Sequence, residues 1–138
     1  MIKVETYLIF DGTCADALRF YERTLGGTLR MMTAAESPAA GQMPPGSGDK
    51  ILHAHLDVDG GVLMASDSMT GQPYERMGGF VVSLTYPSAA DARRIFEALS
   101  EGGRTTMPLG KTFWVEMFGM LVDRFGTPWM VSGGAPTA

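Results

Sequence analysis

His53 and His55 stand two positions apart in an apolar stretch, and they are the chain's two histidines. In an extended segment alternate residues share a face, so both imidazoles point the same way. Imidazole titrates near neutrality and ligates metals, so the pair offers an acid–base couple or half a metal site. Two histidines are fewer than a closed metal site needs, which favours a role lining a ligand pocket. Asp67 ends the next apolar run. It is placed to orient His55, to bind a hydroxyl, or to cap a loop through its own side chain. Glu116 stands among apolar and aromatic residues. A carboxylate there faces solvent or lines a cleft with a raised pKa, and solvent is the better expectation because unpaired carboxylates are rarely buried. Trp114, Phe113, Phe118 and Trp129 join Met64, Met117, Met120 and Met130 in an aromatic and thioether set. Much of that set must be core. Methionine also adapts to irregular shapes and suits surfaces that accept varied ligands. Cys14 lies near a helix start, where the dipole lowers a thiol pKa, but no histidine neighbours it in sequence.

These side chains need a scaffold, and the chain spells one out twice. Ala15-Asp16-Ala17-Leu18-Arg19-Phe20-Tyr21-Glu22 is answered 75 residues on by Ala90-Asp91-Ala92-Arg93-Arg94-Ile95-Phe96-Glu97. At that spacing Gly27 meets Gly102 and Met32 meets Met107. Later a spacing of 66 takes over, with Asp57 meeting Asp123, Gly60 meeting Gly126, Met64 meeting Met130 and Ser66 meeting Ser132. A repeat of this length means two copies of one supersecondary unit.

Residues 2–10 read as a strand, and Asp11 or Thr13 is placed to cap the helix that follows. Ala17, Leu18, Tyr21 and Leu25 give that helix one apolar face, and Gly26-Gly27 ends it. A second strand spans 28–33. Residues 34–49 are a Pro/Gly/Ala/Ser loop found in the first copy only, and are expected to form a mobile flap. Residues 50–58 and 62–66 form a hairpin about Asp59-Gly60-Gly61. The second copy repeats the order, with a strand at 79–86, a helix capped by Ser88, and strands at 104–109, 112–122 and 128–132. Residues 133–138 read as a frayed tail. Each copy is thus βαβββ. The 138 residues make a single α+β domain, with one module at about 2–67 and the other at about 79–133.

Composition sets further bounds. The apolar fraction of 45% and charged fraction of 19% are those of a globular chain. Net charge is −4 with both signs scattered, so there is no basic stripe for nucleic acid. No apolar run reaches the length of a membrane span. Lys3 and Glu5 interrupt the first apolar stretch, so no signal peptide is read there. A single cysteine fits a reducing cytoplasm, the expected location.

The doubled βαβββ unit resembles the vicinal oxygen chelate superfamily of glyoxalases, bleomycin-resistance proteins and extradiol dioxygenases. The strings YLIFDGTCADALRFYERTLGG, ILHAHLDVDGGVLMASD, ALSEGGRTTMPLGKTFW and FGMLVDRFGTPWMV are similar to its PhnB-like branch. The resemblance implies two modules forming a curved mixed sheet around a cleft. It also implies a divalent metal held by His, Gln or Glu on the first and last strands of each copy. Those positions fall at Thr6, or Glu5 with a one-residue slip, at Val81, and at Met64 and Met130. Only Glu5 suits a hard metal, and His55 is a further weak candidate. The expectation is therefore an apolar, compliant cleft without cofactor that binds a small hydrophobic or aromatic molecule. His53, His55, Met64, Asp67, Trp114, Glu116 and Met130 would line it. The alternative is a metal-dependent lyase, isomerase or dioxygenase-like enzyme. Branch members sometimes carry a methyltransferase label, but no Gly-rich nucleotide-binding loop supports it here. Exposed sheet edges, together with the superfamily's habit of pairing modules within or across chains, predict a homodimer.

Overall fold

The computed structural model describes residues 1–43 and 46–137. Its chain falls into two compact units, Met1–Glu75 and Arg76–Ala138. In the first, β1 (Thr6–Phe10), α1 (Cys14–Leu25), β2 (Thr28–Thr33), β3 (Ile51–Val58) and β4 (Gly61–Asp67) follow in order. In the second, β5 (Val82–Tyr86), α2 (Ala89–Ser100), β6 (Arg104–Gly110), β7 (Val115–Val122) and β8 (Pro128–Pro136) repeat that order. The sheets are β1-β4-β3-β2 and β5-β8-β7-β6. In each, the first and last strands run parallel and the rest antiparallel. This is the α+β, twice-βαβββ architecture that the repeat and the resemblance imply, built as two unclosed four-stranded sheets.

Period-2 alternation builds each core. Leu8, Phe10, Ala54, Leu56, Leu63 and Ala65 are buried on the face of the first sheet that packs against α1, where Ala17, Leu18 and Tyr21 meet them. Leu121, Trp129 and Val131 are buried in the second sheet, and α2 packs on that sheet with Ala92, Ile95, Phe96 and Leu99. Trp129 therefore belongs to the core.

The two helices start differently. Ser88 caps α2 as expected, its hydroxyl accepting the Asp91 N–H at 3.1 Å. Neither Asp11 nor Thr13 caps α1 through its side chain. Instead Asp67, at the far end of β4, accepts the Cys14 N–H at 3.0 Å. A distant carboxylate does the work of a local cap, satisfying one of the orphan donors at a helix start.

Three local expectations are corrected. Residues 2–5 do not join β1, and Ile2 and Val4 are exposed. The strand placed at 79–86 begins only at Val82. The tail is no tail to Pro136, because β8 extends there and pairs with Val115. The loop at 34–49 folds back on itself, with a short 3-10 turn at Ala40–Gln42. Ala34 donates its N–H to the Lys50 carbonyl, the Ser47 hydroxyl bonds that of Thr70 at 3.0 Å, and Ser37 and Ser47 are buried. Pro44 and Pro45, also within the expected flap, lie outside the described residues.

The register also shifts the repeat. Tyr7 pairs with Met64 and Ser83 with Met130, so the first strands of the two copies are offset by 76 residues, not 75. The helices keep 75, since Ala17 and Ala92 are both buried against their sheets. Asp57 pairs with Val62 and Val122 with Pro128, which makes Val122 the counterpart of Asp57. The Asp57–Asp123 match in sequence is therefore one residue out. Asp123 instead sits in the β7–β8 turn and accepts from Trp129 Nε1 at 2.8 Å, Phe125 N at 2.8 Å and Thr127 N at 3.1 Å.

Candidate functional site

The face of the first sheet turned away from α1 gathers the polar chemistry. Strand pairing sets Tyr7 on β1 beside Met64 on β4, Met64 beside His55 on β3, and His55 beside Arg30 on β2. One row thus crosses all four strands. Ile9, Ser66 and Met32 lie two residues along from Tyr7, Met64 and Arg30, on the same face. His53, paired with Met32, shares this face with His55. The Tyr7 and His53 rings lie 5.9 Å apart at 36°.

The charges in this patch converge on one atom. Asp57 Oδ2 lies 3.5 Å from His55 Nδ1 and 4.0 Å from an Arg30 guanidinium nitrogen. His55 Nδ1 is enclosed and has no partner within hydrogen-bond geometry.

In the second unit the matching row is Ser83, Met130, Met120 and Met107. Where the first unit has a phenol, an imidazole and a guanidinium, the second has a hydroxyl and two more thioethers. Met64 and Met130 occupy the same place in the two copies, as the spacing of 66 predicts. Trp114 lies ahead of β7 with Phe113 and Phe118 edge-on to it, at 4.7 and 5.2 Å between ring centres. Phe113 and Trp114 are exposed.

Two candidates have structural duties instead. Asp67 is buried, and its carboxylate accepts the Cys14 N–H through Oδ1 and the Ile51 N–H at 2.8 Å through Oδ2. It pins the starts of α1 and β3 to the end of β4, and does not reach His55. Glu116 is exposed and accepts the Ala135 N–H at 3.2 Å, as a solvated strand residue does. Cys14 departs from the helix-start expectation. It is fully buried, and burial, reinforced by the nearby Asp67 charge, pushes its thiol up to about 12. Desolvation of the thiolate outweighs the dipole.

The metal positions implied by the resemblance also move. Glu5 precedes β1 and is exposed, and Thr6 pairs with Leu63, off the row that holds Met64. Val81 precedes β5. The residues beside Met64 and Met130 on the first strands are Tyr7 and Ser83. Two thioethers, a phenol and a hydroxyl do not suit zinc or the oxygen-loving cations. Among the described residues no group of three or more His, Cys, Asp or Glu side chains is placed to hold a metal ion. This donor set does not fit the group.

Sequence reasoning missed Tyr7, Arg30 and Asp57. The alternation of Tyr7 and Ile9 with Leu8 and Phe10 carried the signal for Tyr7. Matching Asp57 to Asp123 hid its place beside His55.

Comparison with known proteins agrees with this architecture. Protein YjdN of Escherichia coli (strain K12) is 32% identical over 137 residues, covering 91% of each chain. The crystal structure of protein PA1353 from Pseudomonas aeruginosa is 46% identical, with a TM-score of 0.91 over 97% of this chain and 98% of that one. The PhnB protein from Bacillus cereus shares the fold at 22% identity, with a TM-score of 0.78 over 96% of this chain and 100% of that one. The family model of the glyoxalase/bleomycin resistance protein/dioxygenase superfamily matches residues 3–131. With that match running almost end to end over a doubled βαβββ fold, the chain belongs to the glyoxalase/bleomycin resistance protein/dioxygenase superfamily.

Proposed function

We propose that the protein binds a small hydrophobic or aromatic molecule, in the manner of a sequestering protein. The observation that carries this reading is the pair of equivalent rows, each with a methionine where the superfamily resemblance implies a metal ligand. Thioether side chains give a compliant apolar surface and little Lewis-acid support. The methyltransferase label met in the PhnB-like branch finds no support, because no strand-to-helix turn here carries a Gly-rich nucleotide loop.

The test has two arms, equilibrium dialysis against a panel of planar aromatic compounds and elemental analysis of protein purified without chelator. Binding of a subset of the panel at micromolar affinity, with no stoichiometric metal, is the expected result. Stoichiometric Zn, Ni, Mn or Fe would overturn it in favour of a metal-dependent lyase, isomerase or dioxygenase.

The same reading includes a cytoplasmic homodimer. β1 and β2 are unpaired edges of one sheet, and β5 and β6 of the other. Pairing with a second copy satisfies such edges and closes by two-fold symmetry. Light scattering at micromolar concentration should give twice the chain mass of 14.8 kDa, and a monomer mass would sink the assembly.

A further inference from the structure

We propose that the helix-free face of the first sheet binds an aromatic acid as its anion, the ionised oxygen lying between His55 and Arg30. This rests on the small-molecule reading above and names the chemical class of the ligand.

Three groups from neighbouring strands meet toward the β2 edge of this face. Asp57 Oδ2 is 3.5 Å from His55 Nδ1 and 4.0 Å from Arg30. Both contacts are longer than a good hydrogen bond, so the carboxylate consumes neither partner's hydrogen-bonding capacity. Arg30 is 73% exposed, and the rest of its planar donor fork stays available to a second oxyanion. His55 is only 24% exposed, with Nδ1 enclosed against Asp57. That arrangement leaves Nε2 to meet a ligand. Nε2 makes no hydrogen bond among the described residues.

The available donors select an anion. The Arg30 donors that Asp57 leaves free give an ionised oxygen charge-assisted hydrogen bonds, which an uncharged oxygen answers far more weakly. The guanidinium has no acceptor to offer a cation. The other titratable groups on this face are Tyr7 from β1 and His53 from β3, and β4 contributes none. The floor suits a ring. Met64 lies between Tyr7 and His55, with Met32 and Ile9 along the next row, and the tilted Tyr7–His53 pair forms one side.

The experiment compares p-nitrophenol with p-nitroanisole, which keeps the ring and lacks the acidic proton. Binding is followed at pH 7 by dialysis and by the phenolate absorbance. The parent should bind p-nitrophenol roughly tenfold or more tighter than p-nitroanisole, with the bound form showing the phenolate band. Arg30→Gln and His55→Gln should each lose about tenfold on p-nitrophenol and so narrow its advantage over p-nitroanisole. Arg30 is exposed, so its variant folds even if the His55 variant does not. Equal binding of the two probes, with no effect of Arg30→Gln, overturns the inference and leaves the small-molecule reading standing. Failure of both probes to bind overturns the inference and counts against that reading too.

Discussion

Asp67 shows how a residue's chemistry is decided by its partners. Its two oxygens take the N–H groups of Cys14 and Ile51, 53 and 16 residues away in sequence. In Asp67→Asn one of those donors faces an amide NH2 in a buried place. That change should cost about 1–3 kcal/mol in urea denaturation, the cost of one buried unsatisfied donor. In sequence Asp67 is just a carboxylate near His55. Its partners are non-local, and no spacing rule reveals them. Cys14 beside it allows a sharper test. Its thiol is raised to about 12 in the fold from an ordinary value of 9.0, so the unfolded chain ionises first as pH rises. The stability this provides is intact below pH 9 and is lost progressively between about 9 and 12. Cys14→Ala should flatten the fall in stability above pH 9. The native thiol should stay inert to a disulfide reagent at pH 8 and react once the protein is unfolded.

The elements carry their own tests. Ser88→Ala removes the α2 cap and should lower stability by about 1 kcal/mol, read from the denaturation midpoint. Gly26 and Gly27 both have positive φ, +81° and +98°, yet their surroundings differ. A Cβ at Gly26 meets nothing, whereas one at Gly27 runs into the Asp57 carbonyl. Gly26→Ala should therefore cost about 1–3 kcal/mol of backbone strain, because a φ of +81° with a ψ of −167° is a conformation kept almost wholly to glycine, and Gly27→Ala distinctly more. Gly103, not Gly102, is its counterpart, because there a Cβ collides with the carbonyl of Val122. The order of helices and strands along the chain and the equivalence of Met64 and Met130 were legible in the sequence, because amphipathic periods and the repeat report them directly. The exact offset was not. Linkers of different length move it from 76 to 75 and back to 76. A slip of one residue turns a strand's side chains to the other face. That is why Thr6 stood in for Tyr7, and why Arg30 went unnoticed.

At the scale of the molecule, the two units share one topology and differ in what their helix-free faces present. The family model spans residues 3–131, so the likeness belongs to the doubled unit as a whole. What sequence could not reach is the gathering of His55, Asp57 and Arg30, because it depends on register between β2 and β3. The contrast between the rows has a further consequence, in redox chemistry. Sulfoxidation adds a polar, chiral oxygen to each methionine it reaches, and reductases can remove it. Met32 and Met107 are exposed, one on each sheet, whereas Met64, Met120 and Met130 are partly covered. Under dilute hydrogen peroxide, peptide mass mapping should find the exposed Met1, Met32 and Met107 gaining oxygen before the covered three. Peroxide should then weaken the proposed binding of apolar compounds progressively as the covered sulfurs follow, with methionine sulfoxide reductase restoring it. The second unit, whose row is built on three sulfurs, would be the more vulnerable half of the protein under oxidative stress.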